Sequence, residues 1–135
     1  MTLPEGRFRI RMSERCWRFA PDTLPAHAPK RPGVYELIDA NKGSEVLYVG
    51  LACPETLYAR LAAHAMGKIR PTFDELVRAR GEVFFDYVAE PADAAPEDLR
   101  DIAGALMIQH NPPYNLRDNP PASGRFGRVL VEETP

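Results

Sequence analysis

The sequence predicts a small α+β domain, a mixed sheet flanked by helices, and three observations carry that expectation. Several segments alternate apolar and polar residues with period two, as half-buried strands do. Others repeat apolar residues at i, i+3, i+4 and i+7, the period of an amphipathic helix. The length of 135 residues suits one domain rather than two.

The elements follow in order. Residues 7–12 alternate Arg7, Phe8, Arg9, Ile10, Arg11 and Met12, a strand with its arginines outward, either a solvated edge or an arm that meets phosphate. Pro21, Pro25, Pro29 and Pro32 make residues 20–32 an extended connector that excludes a helix. Gly33 to Asp39 and Glu45 to Gly50 read as the two strands of a hairpin turning at Asn41-Lys42-Gly43. Pro54 and Glu55 open a helix that runs to about Met66, with Leu57, Leu61 and Ala65 as its buried stripe and Gly67 as its stop. Pro71 starts a shorter helix that turns Phe73, Leu76 and Val77 inward. Glu82 to Glu90 is apolar on both faces and predicts a central strand. Pro96, Glu97 and Asp98 form an acidic first turn, and Leu99, Ile102, Ala103, Leu106, Met107 and His110 continue that helix until Pro112 ends it. Asn119 to Gly127 is a loop, and Arg128 to Glu132 a last short strand.

Composition narrows the function classes. The chain is 44% hydrophobic and 27% charged with both signs interspersed, which suits a folded protein. Its longest charge-free run is interrupted by Pro112 and Pro113, so no membrane span is expected. Glu5, Arg7, Arg9 and Arg11 occupy the place of a secretory signal's apolar core, and a cytoplasmic location is expected. Cys16 and Cys53 lack metal-ligand spacing and read as reduced, inert thiols. A net charge of −2 argues against a generic nucleic-acid coat, but residues 1–32 carry seven Lys and Arg against three Asp and Glu. A local basic site is therefore compatible with the acidic whole.

The decisive pattern is an ordered series of short motifs. Gly33-Val34-Tyr35 and Tyr48-Val49-Gly50 lie on the hairpin strands, the next helix bears Arg60 and, four residues on, His64, and a later helix ends in Pro112-Pro113-Tyr114-Asn115. Each feature alone has an ordinary explanation: rim tyrosines, a surface ion pair, a helix-surface imidazole, a local Asn cap. Together, over about residues 32–115, they resemble the GIY-YIG nuclease family. The resemblance divides the chain into an N-terminal strand and Pro-rich extension (1–32), a nuclease-like core (33–116) and a C-terminal loop and strand (117–135). It implies a DNA endonuclease that hydrolyses phosphodiester bonds with Mg²⁺ or Mn²⁺. Tyr35 would act near the attacking water, Tyr48 would orient the phosphate, and Asn115 would fix the loop after the helix.

The chemistry fits those residue types. Phosphodiester hydrolysis needs an activated water and a counter-charge for the phosphate. Arg60 offers a forked cation for a nonbridging oxygen, and His64 falls about 60° from the Leu57/Leu61 stripe, at the border of the core where a site is both held and wet. A phenol of pKa about 10 is roughly one part in a thousand ionised at neutral pH, a deficit of about 4 kcal/mol that neighbouring cations would have to supply.

One position departs from the pattern. The family's metal-binding Glu falls at Ala103, twelve residues before Asn115. Asp101 points about 160° and Glu97 about 120° away from it around the helix, its same-face neighbours are Leu99 and Arg100, and Glu36 faces the other side of the sheet from Tyr35. Mg²⁺ typically needs a protein carboxylate, so binding is expected to be weak or absent. Either a lineage has kept the nucleic-acid surface without cleavage, or a Glu→Ala replacement silences an otherwise intact enzyme. The intact remainder of the signature favours the second, and a non-catalytic binding module is the alternative. Nine residues separate Gly50 from Arg60, a longer segment than is typical of the family.

Lys68, Arg70, Arg117 and Arg125 are the candidate DNA contacts, with Arg78, Arg80, Arg100 and Arg128 as outer members of a phosphate track, or else ordinary solvated cations. Trp17 is a candidate stacking residue for an unpaired base. Duplex and single-stranded DNA both fit. A homodimer is compatible with the sequence, although no heptad demands one.

Overall fold

The computed structural model describes residues 2–135. It is an α+β domain whose sheet has the strand order β4-β3-β5-β1-β6. Strands β3 (Gly33–Asp39) and β4 (Glu45–Ala52) form the hairpin, and β5 (Phe84–Glu90) pairs antiparallel with β3. Beyond β5 lie β1 (Glu5–Met12), antiparallel to it, and β6 (Arg128–Glu133), parallel to β1. The two-residue β2 (Trp17–Arg18) pairs with the other end of β5. β5 thus takes the central place that its two apolar faces predict. β1 is interior and not an edge, because the C-terminal strand covers it. Both terminal segments complete the sheet of the core.

Two apolar layers sit on the two faces of this sheet. One joins Tyr35, Leu37, Tyr48 and Phe85 to Leu57 and Leu61 of α2 (Leu57–Ala65) and Leu76 of α3 (Phe73–Arg80). The other joins Val34, Val49, Val88 and Ile10 to Leu99, Ile102, Ala103 and Leu106 of α4 (Pro96–His110). The period of two along β3 decides this division, sending Val34 and Tyr35 to opposite layers. Among the described residues no helix is long and apolar enough to cross a membrane.

Several local expectations are corrected. A single helical turn, α1 (Leu24–His27), interrupts the connector, with Pro25 in its first turn where a missing N–H costs nothing. α2 starts at Leu57 rather than at Pro54, because the Thr56 side chain caps it by accepting from the Ala59 N–H. α3 begins with a capping box between Thr72 and Glu75, and its Val77 faces solvent at 40% exposure. Trp17 is stacked between the rings of His27 and Tyr87, so its faces are already engaged within the chain.

Candidate functional site

The hairpin motif has a steric reason. Tyr35 lies directly across from Gly50, and its ring passes over that residue so closely that a Cβ there would come within 2.1 Å of Tyr35 Cζ. Only glycine leaves room for the ring. The phenol is thereby aimed at α2, where His64 receives it.

The Tyr35 hydroxyl lies 2.6 Å from Nε2 of His64, while Nδ1 of the same ring lies 2.9 Å from the Pro71 carbonyl oxygen. A carbonyl only accepts, so Nδ1 carries the proton and Nε2 accepts from the phenol. Burial, followed by the charge of Arg60 and against the hydrogen bond to Pro71, lowers the His64 pKa to about 4. The imidazole is therefore neutral near pH 7. Burial likewise raises the Tyr35 pKa, and the Arg60 charge opposes that rise without cancelling it. A Tyr35 phenolate is strongly disfavoured in this setting, and its proton stays shared with His64.

Neither residue meets solvent: Tyr35 and His64 are both 0% exposed, which corrects the expectation that His64 sits at a wet border. The reason is the loop to α3, whose Pro71 carbonyl covers the imidazole. Tyr48, 9% exposed, packs against both rings and forms the wall that faces outward. Burial raises its pKa too, with Arg60 pulling the other way and Asp118 reinforcing the rise. The accessible phenol is the second of the pair.

Arg60 stands beside both hydroxyls and lowers both pKa values by its charge. Its Nη1 reaches Glu55 at 3.7 Å, whereas its Nε is buried and has no hydrogen-bond partner. An unpaired buried guanidinium N–H is a vacant donor suited to an anionic oxygen. Tyr48, which Arg60 adjoins, lines a cleft of about 430 Å³ together with Arg70, Pro71, Tyr114, Arg117 and Asp118; Arg60 itself lies behind that lining. Arg70 is exposed and paired with Glu75 at 2.5 Å, a bond that a phosphate can exchange for its own.

Asn115 closes the far edge. Its Oδ1 accepts from the Val49 N–H at 2.8 Å, and its Nδ2 donates to the Val49 carbonyl at 3.1 Å and to Asp118 at 3.0 Å. The side chain imitates one more strand along the free edge of β4, and holds the loop that carries Arg117 and Asp118 against Tyr48.

Tyr35, Tyr48, Arg60 and His64 thus converge, with Asn115, Arg70 and Arg117 around them. Lys68 is exposed on the loop after α2. Ala103 and Arg125 lie elsewhere. Ala103 is 1% exposed in the α4 layer with Val34 and Val49, an apolar donor set that does not fit Mg²⁺. Arg125 folds onto Asp98 and Asp101 at 2.8 and 2.7 Å and covers the Phe126 ring. Arg80 is tied to Glu45 and Asp39 at the hairpin turn. Tyr114, inside the Pro112–Asn115 motif but given no role there, also lines the cleft, and Asp118 is a cleft residue that the motif order did not flag, its sequence signal being only proximity to Asn115.

No family model, curated protein or solved structure matches this chain. The geometry of the cleft therefore carries the functional reading.

Proposed function

We propose that the chain is a DNA-binding domain on a GIY-YIG-type endonuclease scaffold, gripping a backbone phosphate at Arg60 and Tyr48 and silent in cleavage, since the position where the family's metal-binding Glu falls, Ala103, is buried in the other apolar layer and offers the cleft no carboxylate. The observation that supports it is the Tyr48 wall of a cleft edged by Arg70 and Arg117, with Arg60, whose buried Nε is unpaired, beside the Tyr48 hydroxyl. Arg60 and the Tyr48 hydroxyl would donate to nonbridging oxygens, and the outer arginines would hold flanking phosphates. Tyr35 and His64 act from behind. Their hydrogen bond fixes the wall on which Tyr48 rests, and Nε2 holds the phenolic proton in place.

In the active form of such a scaffold a divalent metal would supply the nucleophile's activation. The apolar residues around position 103 do not fit one.

The test uses labelled duplex and single-stranded DNA with the chain and with Ala103→Glu. Expected is binding by the unaltered chain that weakens steeply with salt, without nicking in Mg²⁺. Nicking gained in Ala103→Glu and lost again in Ala103→Glu/Arg60→Ala supports a silenced enzyme. Binding without nicking in every variant supports the non-catalytic module. Absence of binding to either form of DNA at low salt overturns both readings.

A further inference from the structure

The opposite face of the sheet carries a second polar constellation, independent of the cleft. Glu36 alternates with Tyr35 and projects toward α4, beside its cross-strand partner Asp86 on β5. His110, the last residue of α4, places Nε2 3.4 Å from Oε2 of Glu36. Glu133, the last residue of β6, completes the group. One ligand atom each from Glu36, His110 and Glu133 lies within 4.8 Å of the other two.

The surroundings leave these atoms without partners. Glu36 and Asp86 are 4% and 8% exposed, yet Glu36 Oε2, Asp86 Oδ1 and His110 Nε2 are buried and form no hydrogen bond. Among the described residues no Lys or Arg pairs with either buried carboxylate, whereas Asp39 and Asp101, also buried, each have an arginine. Burial, joined by mutual repulsion in the case of Glu36, raises the pKa of both carboxyls. A buried acid pair with no Lys or Arg beside it is neutralised either by retaining a proton or by binding a cation, and three ligand atoms within 4.8 Å of one another favour the cation.

We propose that Glu36, His110 and Glu133, with Asp86 behind them, form a binding site for a divalent first-row transition-metal ion of the Zn²⁺ type. One imidazole nitrogen with two carboxylate oxygens is the mixed donor set such ions take, whereas Mg²⁺ favours oxygen alone. Spacing agrees with chemistry. Ligand atoms at the corners of a tetrahedron with bonds of about 2.0–2.1 Å lie about 3.3 Å apart, close to the Glu36–His110 separation of 3.4 Å. Glu133 is exposed, and rotation of its side chain brings its oxygen in. The ion would clamp the end of α4 and the C-terminal strand onto the central strands. It stabilises the sheet and takes no part in the tyrosine cleft. Cys16, just before β2, is the nearby soft ligand, but burial and then the charges of Asp86 and Glu36 raise its thiol pKa and disfavour the thiolate that would bind.

The experiment titrates Zn²⁺ and Mg²⁺ into the chelator-treated full chain by calorimetry, and Co²⁺ by visible absorption. Expected are one Zn²⁺ per chain, a higher melting temperature when Zn²⁺ is saturating, and binding about tenfold or more weaker in His110→Gln and in Glu133→Gln. Glu133→Gln changes an exposed side chain, so it separates loss of a ligand from loss of the fold. Cys16→Ser should keep the site. No saturable binding would overturn the proposal and leave a carboxyl pair that shares a proton. So would Mg²⁺ binding as tight as Zn²⁺, indifference to both His110→Gln and Glu133→Gln, or loss of binding in Cys16→Ser alone.

Discussion

The Tyr35 hydroxyl donates a 2.6 Å hydrogen bond to Nε2 of His64 in a region from which water is excluded on both sides. Removing the donor leaves a buried imidazole nitrogen unpaired, at a cost of about 1–3 kcal/mol. Tyr35→Phe should therefore lower stability by about that much in urea unfolding. DNA affinity should change far less, since that phenol does not reach the cleft. A large loss of affinity at unchanged stability would show that Tyr35 meets the phosphate directly.

His64 gives the protein an acid-side weakness. Its folded pKa of about 4 lies below the ordinary value of 6.5, so the unfolded chain binds the proton first. The stability contributed by the neutral imidazole is complete above pH 6.5 and is lost as pH falls toward 4, by about 3 kcal/mol in all. Glu36 and Asp86 act with the opposite sign, because their raised pKa values favour the folded state at low pH. The comparison must therefore be made against His64→Gln, which should lose less stability between pH 7 and pH 4.5 than the unaltered chain. Equal losses would mean that the imidazole titrates normally.

Gly50→Ala should be among the most damaging single changes in the hairpin. The added methyl falls on the Tyr35 ring, whose other side is packed by α2, and overpacking of this kind costs about 1–3 kcal/mol. Displacement of the ring should also break the bond to His64. Thermal unfolding together with the His64 ring resonances in NMR would register both effects, and an unshifted imidazole signal would contradict the steric account.

Asn115→Ala removes three hydrogen bonds and strips the Val49 N–H and C=O of their partner. A loss of about 2–4 kcal/mol is expected from the unsatisfied backbone groups. Amide hydrogen exchange at Val49 should accelerate by orders of magnitude while exchange at Tyr35, bonded within the hairpin interior, changes little. Uniform acceleration throughout would mark global unfolding instead.

Arg60→Ala and Arg70→Ala should each reduce the salt dependence of DNA binding by about one phosphate contact. Arg125→Ala should leave it unchanged, because Asp98 and Asp101 already neutralise that cation. A drop in the slope for Arg125→Ala would extend the interface beyond the cleft.

The sequence by itself determined the order of the principal strands and helices, though not the single turn α1 or the two-residue β2. Period-two alternation and helical spacing are local properties, and Gly33, Pro96 and Pro112 mark limits of elements through backbone freedom or its loss, whereas β4 runs two residues past Gly50, its expected end. The order of the tyrosines, Arg60, His64 and Asn115 likewise made the cluster legible before any fold was known. Only the tertiary structure decided which of those groups meet water. His64 looked like a border residue on a helical projection, but the Pro71 carbonyl arrives from another segment and seals it. Arg125 and Arg80 looked like free cations until distant carboxylates were folded onto them. Glu36, His110 and Glu133 are far apart along the chain, and only the pairing of β3 with β5 and the docking of α4 and β6 bring them within ligand distance of one another. Periodicity reports the face on which a side chain lies, whereas burial and partnership depend on what the rest of the chain lays over that face.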